Sequence, residues 1–275
     1  MASSSRRVAI VSGSNKGIGL AIVRQLCKQF DGDVFLTARN EERGKESVRA
    51  LKSEGLSPKF HQLDITSIDS IEKLRKFTTD TYGGCDVLVN NAGIAFKYDT
   101  TASNIEQATV TLGTNFTGTM QMLRAFSPIM QPHGRIVNIM SWTGIFSKLS
   151  SDALRDKFSS PSLTEKELIA LMDQFIADVR DGKQIERGWV KTFYASISVG
   201  ILALSNVYAR VLAESGKEDV VVSASCPGYV RTDMSGPKAP LTPNQGAETP
   251  VLCALLPQGS PTGKYWKDKT VQSQL

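Results

Sequence analysis

Near the start of the chain, Gly13-Ser-Asn-Lys-Gly-Ile-Gly19 follows directly on the apolar run Val8-Ala-Ile-Val11. Glycines at 13, 17 and 19 let the backbone turn tightly and approach a bound group closely. Ile18, Ile22 and Leu26 then recur at steps of four, the spacing of a helix with one buried face. A strand, a glycine turn and a helix in that order gather free backbone N–H groups and the positive end of a helix dipole at one point. That is the chemistry of a diphosphate site, and it constrains the chain to a Rossmann-type fold that holds a dinucleotide. Gly13, Asn15, Lys16, Gly17, Ile18 and Gly19 are the candidate residues of the cradle.

The rest of the chain continues the alternation. β-rich runs at 8–12, 34–38, 59–65, 87–90, 135–139 and 220–225 predict strands. Amphipathic stretches at 17–30, 41–54, 67–82, 104–130 and 192–215 predict helices. Several strand runs are Val, Ile and Leu with little polar alternation, as in parallel strands covered on both faces. The expected class is α/β: a single-domain Rossmann fold over residues 1–275, with a doubly wound parallel sheet and right-handed crossovers. One stretch breaks the rhythm. The connection after 139 is far longer than the about two to six residues a strand-to-helix turn needs. Inside it, Ser162-Leu-Thr-Glu165 reads as a capping box before Leu168, Leu171, Met172, Phe175 and Ile176, so 147–188 is a helical insertion. The residues leave open whether it is a packed excursion, a lid or a block on an oligomer face.

The end of the second strand selects the dinucleotide. An NAD site wants a carboxylate there for the ribose 2′-hydroxyl. This chain reads Thr37-Ala-Arg-Asn40, and Glu41 and Glu42 suit the first turn of the next helix. Arg39 can fork onto a 2′-phosphate and Lys16 can add a second charge, so the expected cofactor is NADP(H).

Composition narrows the partners. Among 275 residues, 32 basic and 27 acidic side chains are interspersed, giving a net charge of only +5. No basic block or aromatic stripe marks a nucleic-acid surface, so no such partner is expected. The cysteines Cys27, Cys85, Cys226 and Cys253 lack C-x-x-C spacing, and His61 and His133 stand far apart. They predict reduced thiols and no metal. Val8-Ala-Ile-Val11 is too short for a signal-peptide core, and no 18-residue apolar run occurs, so a cytoplasmic chain without a membrane partner is expected. Ser273-Gln-Leu275 reads as a polar tail or as a variant of the S-K-L peroxisomal address.

Further motifs carry a family resemblance. Asn90-Asn-Ala-Gly93 follows the fourth strand, Asn115 falls in the next helix, Ser141 follows the fifth strand, Tyr194 opens a later helix, and Pro227-Gly228 follows the sixth strand. Together they make the chain similar to the short-chain dehydrogenase/reductase family over nearly its whole length. Phe60-His-Gln-Leu-Asp-Ile65, Asp86-Val-Leu-Val-Asn-Asn-Ala-Gly-Ile-Ala-Phe96 and Cys226-Pro-Gly-Tyr-Val-Arg-Thr-Asp-Met234 resemble the monomeric carbonyl reductases within it, as does the insertion before Tyr194. The resemblance implies NADPH-dependent reduction of small aldehydes, ketones or quinones by a monomer. It implies that Asp64 meets the adenine, Asn91, Ala92 and Gly93 line the ribose, and Pro227, Gly228, Val230 and Thr232 wrap the nicotinamide. Without it, Asp64 reads equally as a helix cap and Asn91–Gly93 as a plain turn. It further implies Tyr194 as general acid, Ser141 as hydrogen-bond partner of the carbonyl, and Asn115 as holder of a relay water.

Two features depart from the family pattern. A lysine four residues after the tyrosine would bind the ribose and lower the phenol's pKa from about 10; here that position is Ser198. Weakened turnover is expected, and an NADP(H)-binding protein without turnover is the alternative reading. Lys191, three residues before Tyr194, lies toward the start of the helix, away from the ribose. Trp142, Trp189 and Tyr229 read as an apolar mouth for flat carbonyls or as packing, and Tyr229 stands where the carbonyl reductases usually carry tryptophan.

Overall fold

The computed structural model describes residues 6–97 and 99–275. Its strands are Val8–Val11 (β1), Asp33–Ala38 (β2), Lys59–Gln62 (β3), Cys85–Asn90 (β4), Met130–Ile139 (β5), Val221–Cys226 (β6), Lys264–Lys267 (β7) and Thr270–Gln272 (β8). They form one sheet in the order β3-β2-β1-β4-β5-β6-β7-β8. β1 to β7 pair in parallel and β8 alone is antiparallel. The strand order reverses between β1 and β4, which opens a crevice at the carboxyl ends of the strands. Single-domain, doubly wound architecture is as expected.

Alternate residues of each strand feed the two faces of the sheet. Val8 and Ile10 join one apolar cluster with Phe35, Leu88 and Ile136, while Ala9 and Val11 join the other with Leu36, Val87 and Val137. The second face is covered by α1 (Gly17–Gln29), α2 (Glu41–Ser53) and α9 (Pro243–Ala254). The first is covered by α3 (Ile68–Tyr82), α4 (Asn104–Thr111), α5 (Thr119–Phe126) and α8 (Phe193–Glu214). α8 is the one helix among the described residues long and apolar enough to cross a membrane, and 83% of its apolar window is buried inside the fold. Its hydrophobicity belongs to the core.

Several elements differ from expectation. β3 ends at Gln62 rather than 65, and β5 begins at Met130. The stretch expected as one helix over 104–130 is divided: α4 passes into a wider π turn, Leu112–Gly118, before α5. The insertion holds α6 (Asp152–Ser159) and α7 (Glu165–Arg180). Its capping box is Thr164 with Glu167, two residues beyond the one expected, each side chain bonded to the other's backbone N–H. α7 packs on both α4 and α8, so the insertion is a packed layer of the fold.

Candidate active site

Every α-helix that begins from extended backbone is capped by a side chain, with one exception among the described residues. Asn40, Ser67, Ser103, Ser151, Thr164, Thr192 and Thr242 each accept a bond from the N–H three positions on. α1 starts after Lys16 with no such bond. Its first N–H groups therefore open onto the crevice beside the glycine turn, as an anion requires.

The glycines of that turn are needed individually. Gly13 and Gly17 both have φ of +58°, and a Cβ on Gly13 would lie 2.7 Å from Ala92 Cα. A Cβ on Gly19 would fall 2.5 Å from Asn91 Nδ2. The turn after β1 and the loop after β4 are thus in direct contact. Ser12 ties them: its hydroxyl accepts from the N–H of Asn91 at 2.9 Å and of Ala92 at 3.0 Å. Asn91 Nδ2 in turn donates to the carbonyls of Ser12 and Gly13. The end of β2 is bonded in as well, through Ser14 N to Thr37 O at 2.8 Å and Thr37 N to Ser14 Oγ at 3.0 Å. Asn15 is held by Ser47 of α2, whose hydroxyl donates to its carbonyl.

The cations expected at the 2′-phosphate stand at this rim. Arg39 is exposed directly after β2. Lys16 is exposed too, its Nζ 2.7 Å from Asp233 Oδ2 in the loop after β6, and it holds that carboxyl below its ordinary range. Thr232 of the same loop would touch a methyl on Gly17 at 3.4 Å. Asp64 lies beyond β3 and accepts from Thr66 N and Oγ1. It does not cap α3, because Ser67 does.

The chemistry-bearing groups stand one strand further along. Asn115 lies in the π turn, buried, and its side chain both accepts from Ile94 N and donates to Ile94 O at 2.8 Å. Both ends of that amide are committed to the loop after β4, so Asn115 fixes the segment 91–94 against the helix layer. Ser141 leaves the end of β5 and opens a short 3₁₀ turn, Trp142–Gly144. A Cβ on Gly144 would sit 2.3 Å from Ser198 Cβ and 2.8 Å from Ala195 O. The turn carrying Ser141 is therefore seated directly on α8, against the helical turn that begins beside Tyr194.

Tyr194 lies in the first turn of α8, which Thr192 caps. Burial, then the nearby Cys226 thiol, pushes its phenol up to about 12, and no cation among the described residues acts on it. Ser198 is buried one turn on. α8 itself is held by a chain of buried polar groups: Asn90 Nδ2 donates to Asn138 Oδ1, and Asn138 Nδ2 donates to Ser205 Oγ on α8.

The expected mouth residues separate. Trp142 and Tyr229 are both roughly half exposed, beside Ser141 and Gly228. Trp189 is a correction. Only 3% exposed, it donates from Nε1 to Asp178 Oδ2 and packs between Phe158 and Phe175. It is the core of the insertion, since a buried indole needs a partner for its N–H and Asp178 supplies one. Val230 is likewise buried, its methyls against Gly246 of α9, while Gly228 takes a φ of +81° and donates to Cys226 Sγ. Sequence reasoning missed Ser12, Asn138 and Ser205, whose only signal was a polar residue in or at the end of an apolar element, and Ser14, which sits inside the glycine turn itself. It gave Thr143, beside Ser141, no role of its own.

Residues 7–151 match the family model described as short chain dehydrogenase. The chain belongs to that family. Among characterised short-chain dehydrogenases it is 51% identical to carbonyl reductase (NADPH) 1 of Rattus norvegicus, over 98% of this chain and 99% of that one. The corresponding protein of Homo sapiens is 49% identical over the same shares. Two solved plant structures share the short-chain dehydrogenase architecture. Salutaridine reductase from Papaver somniferum superposes with a TM-score of 0.86 at 28% identity, covering 95% of this chain and 99% of that one. Menthone neomenthol reductase from Mentha piperita gives 0.79 at 28% identity, covering 95% and 98%.

Proposed function

We propose that this chain reduces small carbonyl compounds (aldehydes, ketones or quinones) with NADPH, as a cytoplasmic monomer. The uncapped start of α1, the glycine cradle and the exposed Arg39 and Lys16 fit NADP(H), and the names of the relatives support the same cofactor. A further family structure at 26% identity, a metagenomic short-chain oxidoreductase with a TM-score of 0.62, is a complex with NADP. Gly13 to Gly19 would hold the diphosphate, Arg39 and Lys16 the 2′-phosphate, Asp64 the adenine edge, and Asn91, Ala92 and Gly93 the ribose. Pro227, Gly228, Thr232 and the backbone of Val230 would flank the nicotinamide.

When bound, NADPH supplies a hydride to the carbonyl carbon. The chain supplies the rest. Ser141 donates a hydrogen bond to the carbonyl oxygen as charge gathers there, and Tyr194 gives that oxygen its proton. With its pKa near 12, the phenol keeps its proton throughout the neutral range, ready to donate but a weak acid. Asn115 contributes by holding segment 91–94 in position. The observation that carries the reading is the seating of the Ser141 turn, through Gly144, on the α8 turn next to Tyr194.

NADPH oxidation with menadione or an aromatic aldehyde tests it. Tyr194→Phe should lower kcat roughly 10²- to 10⁴-fold, the usual contribution of a positioned general acid, with the Kd for NADPH unchanged. Full activity in that variant would refute the assignment. Ser198 favours a second reading, a cofactor-binding protein without turnover, because no cation among the described residues assists the phenol. Measurable turnover by the native chain would exclude it.

A further inference from the structure

We propose that Thr143 is a positioning residue that turns Ser141 into a dedicated hydrogen-bond donor toward the substrate oxygen. The inference rests on the reading of Ser141 given above. Thr143 approaches Ser141 twice: its backbone N–H donates to Ser141 Oγ at 3.2 Å, and its own hydroxyl lies 2.8 Å from the same oxygen.

A serine oxygen has one proton to give and two lone pairs to fill. When both the N–H and the hydroxyl of Thr143 donate, both lone pairs are filled. The proton of Ser141 is then its only unused hydrogen-bonding capacity, and it is directed to a third group. In the opposite arrangement Ser141 would spend its proton on Thr143 and have none for a carbonyl. Negative charge developing on the substrate oxygen selects the first arrangement, and a hydroxyl that accepts two bonds donates more strongly.

The pair is also held in place. Ser141 and Thr143 share a turn whose last residue, Gly144, abuts Ser198 on α8, so the turn is packed directly against the helix. The consequence is larger here than where a cation assists the tyrosine. With no cation among the described residues acting on Tyr194, the hydrogen bond from Ser141 carries more of the charge stabilisation.

The test is a mutant cycle on the full chain with NADPH and menadione, using Thr143→Val, Thr143→Ser, Ser141→Ala and the double variant Ser141→Ala/Thr143→Val. Melting temperature and the Kd for NADPH are measured alongside. Thr143→Val keeps the shape and the backbone N–H, and should lower kcat roughly ten- to a hundredfold, the size of one charge-assisted hydrogen bond. KM and the Kd for NADPH should stay unchanged, and Thr143→Ser should restore kcat. The double variant should lose no more than Ser141→Ala alone, because Thr143 acts only through Ser141. Native kcat in Thr143→Val, or losses that multiply in the double variant, would overturn the proposal. If native turnover is too slow to follow, the series is carried in Ser198→Lys. Should Ser141→Ala match the chain it is built on, or should neither background turn over, the reading of the site itself fails and this inference falls with it.

Discussion

Desolvation first, and the neighbouring Cys226 thiol second, keep the proton on Tyr194. Its folded-state pKa, about 12, lies above the ordinary 10.0. The fold is therefore favoured while the phenol is protonated, and that contribution is lost as pH rises beyond 10. For activity, the protonated form is the donor, so ionisation of Tyr194 should not depress kcat/KM for carbonyl reduction between about pH 6 and pH 10. In Ser198→Lys an ammonium beside the phenol would stabilise its ionised form, and an alkaline fall should enter that window while kcat at neutral pH rises. Identical pH–rate profiles for the two proteins would contradict this account. Ser141 and Tyr194 were legible through the family resemblance, because a serine leaving a strand or a tyrosine opening an apolar helix has no single use by type alone. For Trp189 the residues left a mouth role and a packing role both open. An aromatic side chain between motifs looks alike whether it faces a cleft or a neighbouring Asp178, and only the packing separates them.

At the scale of elements, close approach decides what each loop can carry. Gly144→Ala would place a methyl against Ser198 Cβ and the α8 backbone, where overpacking costs roughly 1–3 kcal/mol. The melting temperature should fall and kcat should fall with it, while NADPH binding persists, since the glycine cradle is on other strands. Unchanged kcat in Gly144→Ala would mean that the seating of the turn on α8 is irrelevant. Across the crevice, Lys16 is shared between Asp233 and the 2′-phosphate it is proposed to bind. Exposed pairs are weak and screened, so Asp233→Asn should tighten NADPH binding only a few-fold at low salt and leave NADH binding unaltered. Equal changes for both cofactors would separate Lys16 from the 2′-phosphate.

The elements that sequence periodicity found are those whose register repeats for several turns or strands. Those it missed break a local rule. β7 and β8 are joined by Asp268 and Lys269, both at positive φ, a hairpin turn usually announced by glycine or asparagine. α9 carries Pro250 in its interior, which argues against a helix in sequence. The π turn holding Asn115 has no periodic signature that separates it from α4 and α5.

For the whole molecule, the insertion is a packed layer that shares one core with the α4 and α8 face of the sheet. Phe175 is fully buried beside Trp189 and Phe193, so Phe175→Ala should cost roughly 3–5 kcal/mol, read as a lower melting temperature. α7 lies over α4 and α8 and covers part of each. Sedimentation velocity should give the mass of one chain at micromolar concentration, and a concentration-dependent dimer would contradict the proposed monomer. The central claim is that the fold holds NADPH fully and uses it through Tyr194 and Ser141 without a cation at position 198. The most direct measurement is NADPH oxidation over a panel of quinones and aromatic aldehydes, with the native chain and Ser198→Lys side by side and NADPH binding measured for both. The account predicts equal or tighter binding in the variant, slow turnover in the native chain, and a large rise in kcat when lysine is introduced. Failure to bind NADPH, or native turnover that Ser198→Lys leaves unchanged, would contradict it.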